Sequence, residues 1–369
     1  MTSPTQIDRY EILQELGIGG MGAVYKAKDP ALLRMVAIKL IRPGNFQKET
    51  AKARFHREIE LSSRLQHPNI VKLYDVGSFE GGTYMVMEYV EGESILSYFD
   101  RKRLPLEEKL SALSKIADAL EYAHKKGIVH RDVKPSNVLV RKDGEPFLLD
   151  FGVAKMTNVS DLSITKSGEV IGTPQYMSPE QALGEKRNLD SRTDVYGLGA
   201  LLYHVLTGTP PFQGETLMGI LQQVSGKPPL PPRSLFPELP VPVEQICLKS
   251  LQKRREDRYA SAGAFADDIR RYLKGEKIAA ASFFARKKRV KAAQIALISA
   301  LMVVIAYLLH ATLFLLKGTE GSVSFETYYD RGKQALHPED SYHEFSKSLE
   351  SLERSRGGLA LSNYSEWKE

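Results

Sequence analysis

The stretch from Ile128 to Gly152, IVHRDVKPSNVLVRKDGEPFLLDFG, constrains this 369-residue chain more than any other part of it. Val138-Leu139-Val140 and Phe147-Leu148-Leu149 are short apolar runs, and Lys142-Asp143-Gly144 between them is a turn signal, so the spacing predicts a hairpin. A hairpin brings its ends together, which places Asp132, Asn137 and Asp150 at one site. A lone Asp before an apolar run is ordinarily a turn or a cap. That reading does not account for His130-Arg131-Asp132, Lys134, Asn137 and Asp150-Phe151-Gly152 at fixed offsets.

These residues match the pattern H-R-D-x-x-x-x-N followed by D-F-G, and on them the chain resembles the protein kinase family. The resemblance implies ATP and Mg²⁺ as cofactors and phosphoryl transfer as the reaction. It casts Asp132 as the carboxylate that orients the attacking hydroxyl and accepts its proton. Asn137 and Asp150 become the Mg²⁺ ligands, and hard oxygen donors suit that ion. Lys134, two residues after Asp132, faces the transferred phosphate in the family and marks serine/threonine rather than tyrosine kinases.

Toward the N-terminus, residues 1–9 read as a polar lead-in. Tyr10–Leu16 half-alternates like a strand and runs into Gly17-Ile18-Gly19-Gly20-Met21-Gly22-Ala23-Val24. Glycines in this spacing also serve dinucleotide folds, but those need a helix to open after them. Here Ala23–Ala27 continues as strand, which predicts a strand-turn-strand lid whose bare backbone can approach phosphates closely. Its wording resembles bacterial serine/threonine kinases. Met35–Ile41 is an apolar run interrupted by Lys39, and a lysine in a buried strand is costly unless its charge is paired. By the resemblance Lys39 contacts the α- and β-phosphates and pairs with Glu58 on a helix predicted from Lys48 to Gln66. Glu58 and Glu60 lie about 200° apart around such a helix, so only one can face Lys39. His67-Pro68 ends it. Strands are predicted over Val71–Val76 and Thr83–Tyr89, turning at Gly81-Gly82. By the resemblance the second leads into a hinge in which backbone groups of Glu88 and Val90 bind adenine.

Residues 93–273 read as mostly helical. Leu110, Leu113, Ile116, Ala117 and Leu120 recur at helical spacing in a helix from Leu106 to Lys126 that stops at Gly127. Between Asp150 and Glu180, five hydroxyl residues fall within 157–168. Thr165 is the expected regulatory phosphosite, with Ser163 and Ser167 as lesser candidates, because a phosphate there would pair with Arg131. Glu180 is expected to pair with Arg258, and Asp194 to brace the backbone of the catalytic loop. GTPQYMSPE (172–180) resembles the substrate-docking end of the segment and argues for protein rather than small-molecule substrates.

Charge and cysteine content limit the other classes. A net charge of +6 is modest for this length, and no basic patch interleaved with aromatics suggests nucleic-acid binding. One cysteine, Cys247, excludes an intrachain disulfide. No apolar core follows a basic region at the N-terminus, so no signal peptide is expected. Ala292–Leu316 holds 25 residues without Asp, Glu, Lys or Arg, enough to cross a bilayer once. The basic run Arg286-Lys287-Lys288-Arg289 and Lys291 precede it. By the positive-inside rule the kinase faces the cytoplasm of an inner or plasma membrane and the C-terminus lies outside.

The expected organisation is therefore an α+β, two-lobed protein-kinase fold followed by a single transmembrane helix. A β-rich lobe occupies 10–87, a hinge 88–92 and a larger helical lobe 93–273. A basic linker follows at 274–291, the membrane helix at 292–316 and a polar extracytoplasmic tail at 317–369. Expected partners are ATP, protein substrates, the membrane and, as a candidate, a second copy of the chain.

Overall fold

The computed structural model describes residues 4–19, 22–41, 59–60, 62–80, 82–150, 174–185 and 189–317. The chain divides into two units, Met1–Lys288 and Arg289–Glu369.

The first unit opens with a six-stranded antiparallel sheet. Its strands are β1 (Gln6–Ile7), β2 (Tyr10–Gly19), β3 (Gly22–Asp29), β4 (Arg34–Ile41), β5 (Leu73–Phe79) and β6 (Gly82–Glu88), in the order β1-β2-β3-β4-β6-β5. Period-two alternation accounts for its one-sided burial. Along β3, Ala23, Tyr25, Ala27 and Asp29 point inward while the residues between them do not. Tyr10, Val36, Ile38, Tyr84 and Val86 complete that core. The stretch read as a polar lead-in joins the sheet: Ile7 is fully buried and β1 pairs with β2, because an apolar residue among polar ones is drawn into the sheet. The turn before β6 sits earlier than expected, as Glu80 takes a left-handed φ of 48° and Gly82 is already in the strand.

The helical part follows a short sheet of β7 (Gly92–Ser94), β8 (Val138–Arg141) and β9 (Pro146–Leu148). β8 and β9 form the predicted hairpin, with Leu139 opposite Phe147. The helices are α1 (Ile95–Lys102), α2 (Leu106–Lys125), α3 (Pro179–Ala182), α4 (Ser191–Thr207), α5 (Leu217–Gly226), α6 (Pro232–Leu235), α7 (Val241–Ser250), α8 (Ala262–Leu273) and α9 (Ala279–Lys317). α2 buries the predicted stripe, and Gly127 just beyond it adopts φ 77°, the left-handed conformation that ends a helix. α4 is apolar nearly all round, with Val195, Tyr196, Leu198, Leu201 and Leu202 inaccessible to solvent, as expected of a helix through the middle of a core.

The stretch expected as a basic linker, 274–291, is helical from Ala279 onward. Ile278 and Ala280 are buried, and the carboxylate of Asp268 accepts the backbone N–H groups of Ala279 (2.7 Å) and Ala280 (2.8 Å). These bonds satisfy donors that a helix start leaves unpaired. The apolar side chains from Ile295 to Phe314 are exposed, unlike those of a core helix.

Candidate active site

The site grows out of the β8–β9 hairpin. Asn137 ends a single 3₁₀ turn, Pro135–Asn137, immediately before β8, and Asp150 follows β9 by two residues. Leu149 donates its N–H to the Asn137 carbonyl at 2.9 Å, which ties the two ends together. The Asn137 amide donates to the Asp132 carbonyl (2.8 Å) and to Asp132 Oδ2 (2.9 Å), and Lys134 Nζ lies 2.9 Å from the same carboxylate oxygen. On the facing sheet, Lys39 in β4 reaches across to Asp150 Oδ2 at 2.7 Å. Asp132, Asn137 and Asp150 are thus brought together as the hairpin spacing predicts, with Lys134 beside them, while Lys39, expected to pair with Glu58, meets Asp150.

Two non-glycine residues of the site have left-handed backbones, Arg131 at φ 65° and Asp150 at φ 51°. Such a conformation costs about 1–2 kcal/mol and persists only where its surroundings enforce it. At Arg131 the enforcement is visible. Asp194, on α4, accepts the N–H of His130 (2.8 Å) and of Arg131 (2.7 Å), as predicted. The buried His130 ring accepts the N–H of Asp132 on Nδ1 (3.2 Å), so Nε2 carries its hydrogen and donates it to the Leu149 carbonyl (2.6 Å). One imidazole therefore links the residue before Asp150 to Asp132. Gly197 leaves room for this loop: a Cβ there would stand 2.8 Å from Val133 Cβ.

The glycine hairpin lies above Lys39. β2 and β3 pair Gly17 with Val24, Ile18 with Ala23 and Gly19 with Gly22, and Val24 is opposite Lys39 in the next ladder. The strand after the glycines excludes a dinucleotide-type helix. A Cβ on Gly22 would fall 1.8 Å from the Leu40 carbonyl oxygen, so only glycine lets the strands close there. Glu88 ends β6 with its N–H bound to the Lys72 carbonyl (2.8 Å), while Val90 is buried just beyond. Gly20, Met21, Glu58, Ser163, Thr165, Ser167 and Thr173 lie outside the described residues.

The expected Glu180–Arg258 pair is present and buried, with Nη1 to Oε1 at 2.8 Å and Nη2 to Oε2 at 2.7 Å. Burial by itself would raise the Glu180 carboxyl. Arg258, aided by the Thr193 hydroxyl, outweighs it and holds the group below the usual glutamate range.

Two supporting residues escape a motif-based reading. His124, at the end of α2, places Nε2 2.7 Å from Asp194 Oδ2. Gln181, in α3, donates from Nε2 to the Arg131 carbonyl at 2.7 Å and accepts the Ser178 N–H on Oε1 at 3.0 Å. The Ser-x-x-Gln spacing signals the capping half of that arrangement. Nothing local signals the bond to Arg131, fifty residues away.

Fold and site together define a two-lobed protein kinase fold. A model of the protein kinase domain family matches residues 10–268, and the chain belongs to that family. It is 38% identical over 285 residues to the probable serine/threonine-protein kinase PknB of Bifidobacterium longum, across 74% of this chain and 41% of that protein. It is 39% identical over 284 residues to the serine/threonine-protein kinase PknB of Mycobacterium tuberculosis, across 75% of this chain and 45% of that one. The chain thus spans less than half the length of these curated relatives. Among solved structures, the PknI kinase domain of Mycobacterium tuberculosis aligns with a TM-score of 0.58 at 29% identity, covering 73% of this chain and 98% of the domain.

Proposed function

We propose that the chain is a membrane-anchored serine/threonine protein kinase that transfers the γ-phosphate of ATP to hydroxyl groups of proteins. The observation that carries this reading is the convergence of Asp132, Lys134, Asn137, Asp150 and Lys39 on one site beneath a glycine hairpin. Asp132 accepts a hydrogen bond from the substrate hydroxyl, orients it and takes its proton late in the transfer. Lys134 balances the Asp132 charge and faces the incoming phosphate. Lys39 gives up its contact with Asp150 for the α- and β-phosphates.

The donor set fits Mg²⁺. Asn137 turns its NH₂ toward Asp132, so its amide oxygen, together with the Asp150 carboxylate, would hold the ion. Among the described residues no cluster of three or more His, Cys, Asp or Glu could cage a metal, which suits an ion held by one or two protein oxygens plus substrate phosphates. Bound Mg²⁺ supplies the charge that neutralises the phosphates.

The hydroxyl-rich segment around Thr165 supports activation by autophosphorylation there, with Ser163 and Ser167 as secondary acceptors. The helix Ala279–Phe314 is long and apolar enough to span a bilayer. The cations at 286–291 support a cytoplasmic kinase and an extracytoplasmic tail. The test is transfer of labelled phosphate from ATP to a generic protein substrate, followed by phosphoamino-acid analysis. Asp132→Asn is expected to lower transfer about 10²–10⁴-fold, with label on serine and threonine. Equal labelling by the variant, or label on tyrosine alone, refutes the assignment.

A further inference from the structure

The peptide plane between Arg131 and Asp132 sets the direction in which the Asp132 side chain leaves the backbone. Its N–H end is held by His130 Nδ1 at 3.2 Å, and its C=O end by Gln181 Nε2 at 2.7 Å. The residue before this plane, Arg131, is left-handed at φ 65° with its own N–H held by Asp194 Oδ1 at 2.7 Å, so rotation of the plane would change ψ of Arg131 and φ of Asp132. His130 provides one contact from within the loop. Gln181 provides the other from α3, the helix that ends the substrate-docking segment.

The chemistry requires an amide at position 181. Toward Ser178 the side chain must accept an N–H, and toward Arg131 it must donate to a carbonyl. A carboxylate can do only the first, and an ammonium only the second. The two partners also fix which end of the amide is oxygen.

We infer that Gln181 is a positioning residue: it locks the Arg131–Asp132 peptide against rotation and so aims the Asp132 carboxylate. It couples that aim to the Ser178–Gln181 turn, so the segment that docks the substrate also sets the orientation of the base. This rests on the kinase reading given above for Asp132.

The test compares full-length wild type, Asp132→Asn, Gln181→Glu, Gln181→Met and Ser261→Ala. The two Gln181 variants lack the donor, with and without an added charge. Ser261→Ala removes the Oγ that accepts the Ala264 N–H at the start of α8, and so weakens a helix cap away from the site. Loss of one hydrogen bond to a partly buried carbonyl is expected to lower kcat about tenfold in both Gln181 variants, with KM for ATP within about twofold. Ser261→Ala is expected to lose a comparable amount of melting temperature and keep the wild-type kcat. Hydrogen exchange in the peptide 128–137 should quicken in the Gln181 variants and not in Ser261→Ala. Wild-type kcat in the Gln181 variants, or an equal loss in Ser261→Ala, overturns the inference. If wild type and Asp132→Asn transfer phosphate equally, the kinase reading fails instead. The exchange result then decides the Gln181 lock by itself, with unchanged exchange refuting it.

Discussion

Replacing Glu180 with glutamine removes one charge from a buried pair and almost no volume, which makes the cost traceable. All five N–H groups of the Arg258 guanidinium have acceptors: both oxygens of Glu180 and the carbonyls of Arg192, Gln252 and Lys253. The side chains are 0% and 4% exposed, so water cannot replace the missing carboxylate. Removing one partner of such a pair leaves an uncompensated buried charge and costs about 3–5 kcal/mol. At about 2–4 °C per kcal/mol, the melting temperature of Glu180→Gln should fall by roughly 6–20 °C in thermal unfolding of the full chain. Glu180→Leu combined with Arg258→Met should recover only part of this, because the three carbonyls lose their donors too. The pH dependence has a definite sign. The Glu180 carboxyl is held below its ordinary value, so its contribution is complete above about pH 5 and is lost as the pH falls through the lower native value. Wild type should therefore lose stability on acidification more steeply than Glu180→Gln. A fall of less than about 3 °C at neutral pH, or parallel acid profiles, would falsify the view that this pair holds α3 to the helical core.

Other perturbations address the site and its placement. Gly197→Ala should push Val133 and the catalytic loop aside and lower kcat by about 10–100-fold, since misplacement by about 1 Å is enough for such a loss; an unchanged kcat in the folded variant refutes the close approach. Asp194→Asn must turn an NH₂ toward at least one of the donors from His124, His130 and Arg131. With about 1.5–3 kcal/mol at stake per bond to a charged acceptor, a melting-temperature drop together with reduced kcat is expected, and loss of neither refutes the bracing role. Deleting 292–316 should move the protein from the membrane to the soluble fraction, and an alkaline phosphatase fused after residue 316 should be active only if the tail lies outside. Membrane retention of the deletion, or an inactive fusion, refutes the topology.

The motifs around Asp132 and Asp150 are legible because they sit within one hairpin, where local spacing sets the meeting of the two ends. β3, β4 and α2 are legible from burial periods of 2.0 and 3.6 in their own residues. The buried strand β1 escaped notice because a single apolar residue, Ile7, carries its signal. The helical start of 274–291 was hidden for a related reason. Its anchor is the carboxylate of Asp268, a residue on the preceding helix that reads in sequence as an ordinary exposed acid.

What the sequence by itself determined is the set of groups at the proposed site: Asp132, Lys134, Asn137 and Asp150, tied to one another by short spacing, and Lys39, marked by its place in an apolar strand. What only the tertiary structure decided is how those groups are aimed. Lys39 meets Asp150 side chain to side chain across 111 positions of chain, and Gln181 reaches the Arg131 carbonyl across 50. The first depends on where the two lobes place β4 against the end of the β8–β9 hairpin. The second ends on a backbone C=O, a group every residue carries alike, so no pattern of side chains along the chain can announce that it will be met.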